Sequence, residues 1–336
     1  MKFGRAGVVW ITTIILSVSL LGCSAASKSA KEQNDNPTSG VGVATSEGTG
    51  GQASPATRVI QDAKGEVEIP VHPKRIADIS GSTEELLILG YKPVLTGNTD
   101  MGDPKQVTPI LQEKLGTDVQ IGGWFQTPVN IEAIVAADPD LILAGPTQSG
   151  MYEELQKIAP TIRVPFGFNA FRERFAFVSK ALDQEQAMRE WLKQYDNRVE
   201  QLRSQIKKVT KEATFAVIEP TAKEIRIYSS TGVAELLFED LLLPKAPGTP
   251  DPDGWGGKVT SLEGLSTLNP DHIVLMSDHE HNVLEGSKLW TGLQAVKSGH
   301  VYRLTTRQNY NEAFTAFGKQ AVLEQVAEQI LRQALP

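Results

Sequence analysis

The chain has 336 residues, 40% of them hydrophobic and 22% charged, and its 33 Lys and Arg against 40 Asp and Glu give a formal net charge of −7. That balance offers no basic excess for a nucleic acid and no Lys/Arg cluster of the kind an anionic membrane surface attracts, so neither is expected to meet the folded part. Cys23 is the one cysteine, which excludes disulfides, a thiolate metal site and a catalytic thiol from all that follows it; an ordinary hydrophobic core must hold the fold.

Lys2 and Arg5 make a basic start, and no residue from Ala6 to Ser27 is charged. A basic region, an apolar region and a small residue in this order predict a secretory signal. Leu20-Leu21-Gly22-Cys23 resembles the lipobox of bacterial lipoproteins, which implies a signal peptide over 1–22 and acylation of the Cys23 thiol, with palmitate as the lipid. The alternative is an uncleaved transmembrane anchor, against which Thr12, Thr13, Ser17 and Ser19 dilute the run. Both readings put everything after Cys23 outside, on the outer face of the cytoplasmic membrane. Residues 23–56 are rich in Ser, Gly, Ala, Thr and Asn and are expected to be a disordered tether reaching roughly 30 Å.

From about residue 57 short apolar runs alternate with helical patterns. Arg75–Ile79, Pro93–Thr96 and Asp140–Ala144 read as buried strands, with helices over Thr83–Leu89, Val129–Ala137 and Tyr152–Ile158 between and after them. Phe171, Phe175, Val178, Leu182, Trp191, Tyr195, Val199, Leu202 and Ile206 follow a helical spacing without Gly or Pro, predicting one long helix or a kinked pair with Asp183 and Gln186 capping its second part. Arg172 and Arg174 are expected on its solvated face. Strands then resume at Thr214–Ile218, Ile225–Tyr228, His272–Met276 and Val301–Leu304, and a last helix is predicted from Glu312 to Gln333. The expected fold is α/β: two Rossmann-like lobes, 57–168 and 211–336, joined by a long rigid helix within 169–210, with a ligand cleft between them and parallel or mixed sheets.

An internal repeat supports two related lobes. Trp124, Glu132, Pro139-Asp140 and Ile142 recur as Trp255, Glu263, Pro270-Asp271 and Ile273, always 131 residues later. Each lobe thus carries a tryptophan loop among glycines, a helix with a glutamate at its start, and a Pro-Asp-strand. The bland alternative makes the tryptophans core residues and the glutamates partners of the helix dipole.

Ile69-Pro70-Val71-His72-Pro73-Lys74-Arg75-Ile76, Glu85-Leu86-Leu87-Ile88-Leu89-Gly90, Glu132-Ala133-Ile134 with Asp138-Pro139-Asp140-Leu141-Ile142, and Leu289-Trp290 with Ala295-Val296-Lys297-Ser298-Gly299-His300-Val301-Tyr302 together resemble one group. It comprises the ABC-importer solute-binding proteins for ferric siderophores, haem and cobalamin. The resemblance implies a monomer that captures a small ligand, here a ferric siderophore, and hands it to an ABC permease dimer with its ATPase. It implies no cofactor, since iron enters only inside the bound ferric siderophore. Trp124 and Trp255 occupy positions where the family often puts a ring against the ligand, with Phe125 beside the first. Glu132 and Glu263 match the two acidic residues that dock onto permease arginines. Arg307 and Tyr310, the latter where many relatives carry tryptophan, are expected to reach the ligand from the strand ending at Leu304. Arg226 and Tyr228 at another strand, and Asn98 after Thr96, complete the expected set.

Two other readings remain. Asp278-His279-Glu280-His281 could hold Zn²⁺ or Mn²⁺, although residues two apart on a strand splay about 7 Å and the first lobe offers no second cluster. Haem and cobalamin stay open as alternative ligands of the same architecture. An enzyme is not expected: the chain has no Gly-x-Ser-x-Gly elbow, no His-Glu-x-x-His, no phosphate loop and no Gly-x-Gly-x-x-Gly after a strand.

Overall fold

The computed structural model describes residues 56–165, 167, 170–254, 256–278 and 281–333. The signal, Cys23 and the tether up to residue 55 lie outside them, as do Trp255 and His279.

The first lobe opens with a hairpin, β1 (Thr57–Gln61) and β2 (Glu66–Pro70), whose turn is fixed by Asp62 Oδ1 accepting the amides of Lys64 and Gly65. Then follow β3 (Ile76–Ile79), α1 (Thr83–Ile88), β4 (Leu95–Thr96), the small ribbon β5 (Thr99–Asp100) and β6 (Asp103–Val107), α2 (Pro109–Leu115), β7 (Gln120–Ile121), α3 (Ile131–Ala137), β8 (Leu141–Ala144), α4 (Tyr152–Leu155) and β9 (Thr161–Arg163). The sheet order is β7-β4-β3-β8-β9, and every pairing within it is parallel. Helices cover both faces, so all four residues of β3 and of β8 are buried, and continuous apolar runs were readable where alternation was absent.

Two helices connect the lobes. Phe171–Ala181 forms α5 and Glu185–Thr210 forms α6, 26 residues and about 39 Å long. They are a folded-back pair: Phe171 and Phe175 of α5 meet Trp191 of α6 edge-on, and Arg172 pairs with Asp196 at 2.6 Å. Asp183 does not cap α6. It sits in the left-handed region at φ 57°, where it turns the chain back, and Gln184 precedes the helix without a side-chain cap.

The second lobe contains β10 (Phe215–Pro220), β11 (Ile225–Tyr228), α7 (Gly232–Glu235), β12 (Gly257–Thr260), α8 (Leu262–Leu268), β13 (His272–Met276), α9 (Lys288–Gly292), α10 (Gln294–Lys297), β14 (Val301–Leu304) and α11 (Ala316–Gln333). Its sheet order is β12-β11-β10-β13-β14, parallel from β10 to β14 and antiparallel at β11 and β12, which makes it mixed. One face buries Val217, Tyr228, Val274, Met276, Tyr302 and Leu304 against α6 and α11; the other packs Ile218, Ile227, Ile273 and Leu275 on Leu265 of α8.

The lobes meet at the first turn of α1, which is fully buried although it is Thr83-Glu84-Glu85-Leu86. Glu84 Oε2 accepts the amides of Phe317 at 2.6 Å and Gly318 at 3.0 Å, so a carboxyl oxygen from one lobe supplies the N-terminal cap of α11 in the other. This is why α11 starts at Ala316 and not at the expected Glu312, which ends a wide turn over Gln308–Glu312. Glu85 pairs with Arg174 at 2.7 Å, and Arg174 also donates to the carbonyl of Phe314. Arg174 is 0% exposed, which corrects its expected place on a solvated face: its partner lies 89 residues away, beyond the reach of helical periodicity.

Two outcomes are expected of this seam. Removing Arg174 by Arg174→Met would leave Glu85 buried and unpaired, lowering unfolding stability by about 3–5 kcal/mol in a denaturant titration. Burial, helped by Glu85 and opposed by the Gly318 amide, pushes the Glu84 carboxyl from 4.5 up to about 8. A raised carboxyl pKa makes the native state hold its proton more tightly, so this group's contribution to stability declines as pH rises from about 4.5 through about 8. Glu84→Gln keeps an acceptor for both amides and cannot ionise; its melting temperature should lack that decline, and an unchanged slope would take Glu84 out of the titration.

Candidate ligand site in the interlobe cleft

In open α/β sheets the loops at the carboxyl ends of parallel strands converge on one edge, where helix N-termini and free backbone groups gather. In the first lobe these loops are Ser80–Ser82 after β3, Gly97-Asn98 after β4, Gly122–Phe125 after β7 and Gly145–Gln148 after β8. Asp78 anchors them from below. Its Oδ1 accepts the amide and hydroxyl of Ser80, and its Oδ2 accepts the hydroxyl of Thr83. Burial pushes this carboxyl above its ordinary value against those donors.

Trp124 is half-buried and meets Phe125 edge-on, with ring centroids 6.2 Å apart. Its indole Nε1 is buried without a hydrogen-bond acceptor. Phe125, expected to touch ligand, is 7% exposed and fills the space beside Gly81, where a Cβ would lie 2.9 Å from the ring. Gln148 fixes the loop by donating to the carbonyls of Phe125 and Thr127. Asn98 is also buried, donating to the carbonyl of Gly81, so its amide ties two loops of the same edge.

The second lobe contributes a polar cluster at the end of β10 and β11. Glu219 and Arg226 are cross-strand partners, yet they answer different groups. Arg226 pairs with Asp253 at 2.6 Å, whereas Glu219 Oε2 accepts the phenols of Tyr228 at 2.7 Å and Tyr310 at 3.1 Å. The two phenols also hydrogen-bond each other. Burial pushes both above the ordinary tyrosine range, Tyr310 to about 12, so both stay protonated. Arg307 is 53% exposed in its side chain and reaches across the lobes to Asp100 of β5 at 3.5 Å. Beside it the amide of Met101 donates to Asn311 Oδ1 at 3.0 Å. The ribbon β5–β6 is therefore bound to the second lobe, and Asn98 stands one residue before it.

The structure thus joins Arg226, Tyr228 and Tyr310 in one cluster, sets Arg307 one turn from it, and places Trp124 and Asn98 on the strand-end loops of the first lobe. Sequence reading missed Glu219, Asp253 and Asp100, because ion pairs across strands and lobes leave no local pattern. His281 is exposed and pairs with Glu285 at 3.0 Å, and among the described residues no group of three or more His, Cys, Asp or Glu could hold a metal ion. His272 is structural: it stacks between Phe215 and His300, meets the Tyr302 hydroxyl at 2.8 Å, and is pulled down to about 4 by burial and then by His300.

The repeat is a repeat of structure. Helices α3 and α8 are both seven residues long, capped by Asn130 and Ser261, whose side chains accept amides of the first turn. Each ends in a left-handed residue, Asp138 or Asn269, before the Pro-Asp pair. Asp140 then accepts the amides of Lys74 and Arg75 ahead of β3, and Asp271 accepts that of Thr214 ahead of β10. Glu132 and Glu263 occupy the same second helical position and are exposed.

Two α/β lobes with such matching helices, joined by α5 and α6 around a cleft, define a bilobal solute-binding protein. Over residues 86–307 the sequence matches the Periplasmic binding protein family, and the chain belongs to it. It is similar to the iron(3+)-hydroxamate-binding protein FhuD of Bacillus subtilis (strain 168), 28% identical over 71% of this chain and 76% of that protein. The Fe(3+)-citrate-binding protein YfmC of the same organism is 26% identical over 86% of this chain and 87% of its own. Among solved structures, a FhuD fold-family periplasmic binding protein component of a Fep/Fec-like ferrichrome ABC transporter from Bacillus subtilis aligns with a TM-score of 0.70 and 25% identity, covering 81% of this chain and 100% of that one. Staphylococcus aureus SirA complexed with staphyloferrin B aligns at 0.67 with 26% identity, covering 82% and 98%. The family binds substrates and does not transform them.

The caps give a direct check on the repeat. Asn130→Ala and Ser261→Ala should each lower unfolding stability by about 1 kcal/mol, read from urea midpoints at unchanged slope.

Proposed function

We propose that this protein captures a ferric siderophore outside the cytoplasmic membrane, to which Cys23 anchors it by lipid, and delivers the ligand to an ABC permease. The observation that carries this reading is the pair of strand-end surfaces, a half-buried indole with an unanswered N–H on one lobe and a tyrosine–arginine cluster on the other, with Arg307 reaching Asp100 between the lobes. Siderophore complexes present apolar rims and ligating oxygens, which suit aromatic faces and N–H donors. Similarity to proteins named for iron(3+)-hydroxamate and Fe(3+)-citrate binding supports the same ligand class. Iron is cargo in this scheme, and no resident cofactor takes part.

Delivery needs a second surface. Glu132 and Glu263 stand exposed at equivalent sites of the two lobes and would meet arginines of a permease dimer. Each exposed pair contributes only about 0.2–1 kcal/mol, so the two together set register and encounter rate more than affinity. The buried seam at α1 and the long α6 restrict the lobes to a small rotation on loading, and ATP hydrolysis by the importer drives release.

Tryptophan fluorescence of the soluble domain, titrated with ferric siderophores, haem, cobalamin, Zn²⁺ and Mn²⁺, should show saturable quenching by a ferric siderophore that is lost in Trp124→Leu. A response to haem, cobalamin or a bare metal ion alone would refute the ligand assignment. In whole cells, Glu132→Ala/Glu263→Ala should abolish ferric siderophore uptake at unchanged binding affinity; normal uptake would remove the docking role.

A further inference from the structure

The charges around the cleft are not those expected for an anionic ligand. Arg226 is held by Asp253 at 2.6 Å and Arg307 by Asp100 at 3.5 Å, so each cleft arginine already has a carboxylate. Two further acids stand with them. Glu219 is answered by the neutral phenols of Tyr228 and Tyr310, and half-buried Glu312 lies close enough to Asp100 for that charge to add to burial in raising its pKa. Among these six ionisable side chains the carboxylates outnumber the guanidiniums two to one.

We propose that the cleft selects ferric trihydroxamates, whose complexes carry no net negative charge, over ferric tricatecholates and ferric citrate. This rests on the siderophore reading above and narrows it. Three hydroxamates lose one proton each and cancel the charge of Fe³⁺, whereas three catecholates lose two each and leave the complex strongly anionic. An anionic complex would find Arg226 and Arg307 already balanced by Asp253 and Asp100, and would bring its own negative charge beside Glu219. A neutral complex meets no such repulsion. A guanidinium has five N–H donors, so Arg226 can donate to a hydroxamate oxygen while Asp253 keeps its own bond. The hydroxyls of Tyr228 and Tyr310, pointed at Glu219, leave lone pairs that tolerate amide or ammonium groups at a ligand's edge.

The test is a direct comparison of dissociation constants by calorimetry on the soluble domain with four probes: ferrichrome, ferrioxamine B, ferric enterobactin and ferric citrate. At least one trihydroxamate should bind about 100-fold more tightly than either anionic complex. Its affinity should change little between low and high salt. In Glu219→Gln/Asp253→Asn, which removes two negative charges by near-isosteric changes, the anionic complexes should gain about tenfold relative to the trihydroxamate. Tighter binding of enterobactin or citrate complexes by the unaltered protein would overturn the charge selection while leaving the siderophore reading intact. Binding of none of the four would bring down both.

Discussion

The structure depends on two adjacent glutamates buried in the first turn of α1. Burying carboxyl groups is costly, and the cost is met here by partners that no single lobe possesses: Glu84 takes amides from α11, and Glu85 takes the guanidinium of Arg174 on α5. A similar arrangement continues beneath α11, where buried Lys319 reaches Glu235 at 2.7 Å and Asp240 at 3.4 Å, and Asp240 accepts the Tyr195 hydroxyl of α6. Lobe, linker and lobe are therefore tied through polar groups with fixed geometry. Apolar contacts alone would allow the lobes to slide; directed hydrogen bonds in a low-dielectric seam do not.

That rigidity bears on the cleft. Tyr310 and Arg307 lie on the stretch between β14 and α11, and the start of α11 is set by Glu84. Asn309, in the same stretch, accepts the amide of Val233 at the start of α7. Tyr310 and Arg307 are thus held from behind by a contact that joins the lobes, Glu84 to α11, and by one within the second lobe, Asn309 to α7.

The sequence showed the periodic parts of this arrangement well. Apolar runs at Ile76–Ile79, Leu141–Ala144 and His272–Met276 are the central buried strands, and the 131-residue repeat pointed to one helix with a glutamate near its start in each lobe. What escaped was whatever depended on a distant partner. Arg172 and Arg174 are two residues apart on one helix, yet the first is half-exposed beside Asp196 and the second is sealed against Glu85. Phe125 is expected beside Trp124 in the ligand set; only the fold shows that its ring fills the space over Gly81. Antiparallel β11 and β12 were equally hidden, since strand direction is set by pairing and not by composition.

Two buried groups with opposite titrations have a joint effect. Glu84 holds its proton too tightly in the folded state, and His272, stacked between Phe215 and His300, holds its own too loosely. As acidity increases below the ordinary histidine value of 6.5, the unfolded chain gains a proton that folded His272 refuses until about pH 4, which favours unfolding. Over the same range down to 4.5, Glu84 favours folding, because only the native state keeps its carboxyl protonated. Their proton uptakes offset each other across mildly acidic conditions, so these two groups, one in each lobe, together contribute little slope of stability with pH where either alone would contribute a steep one.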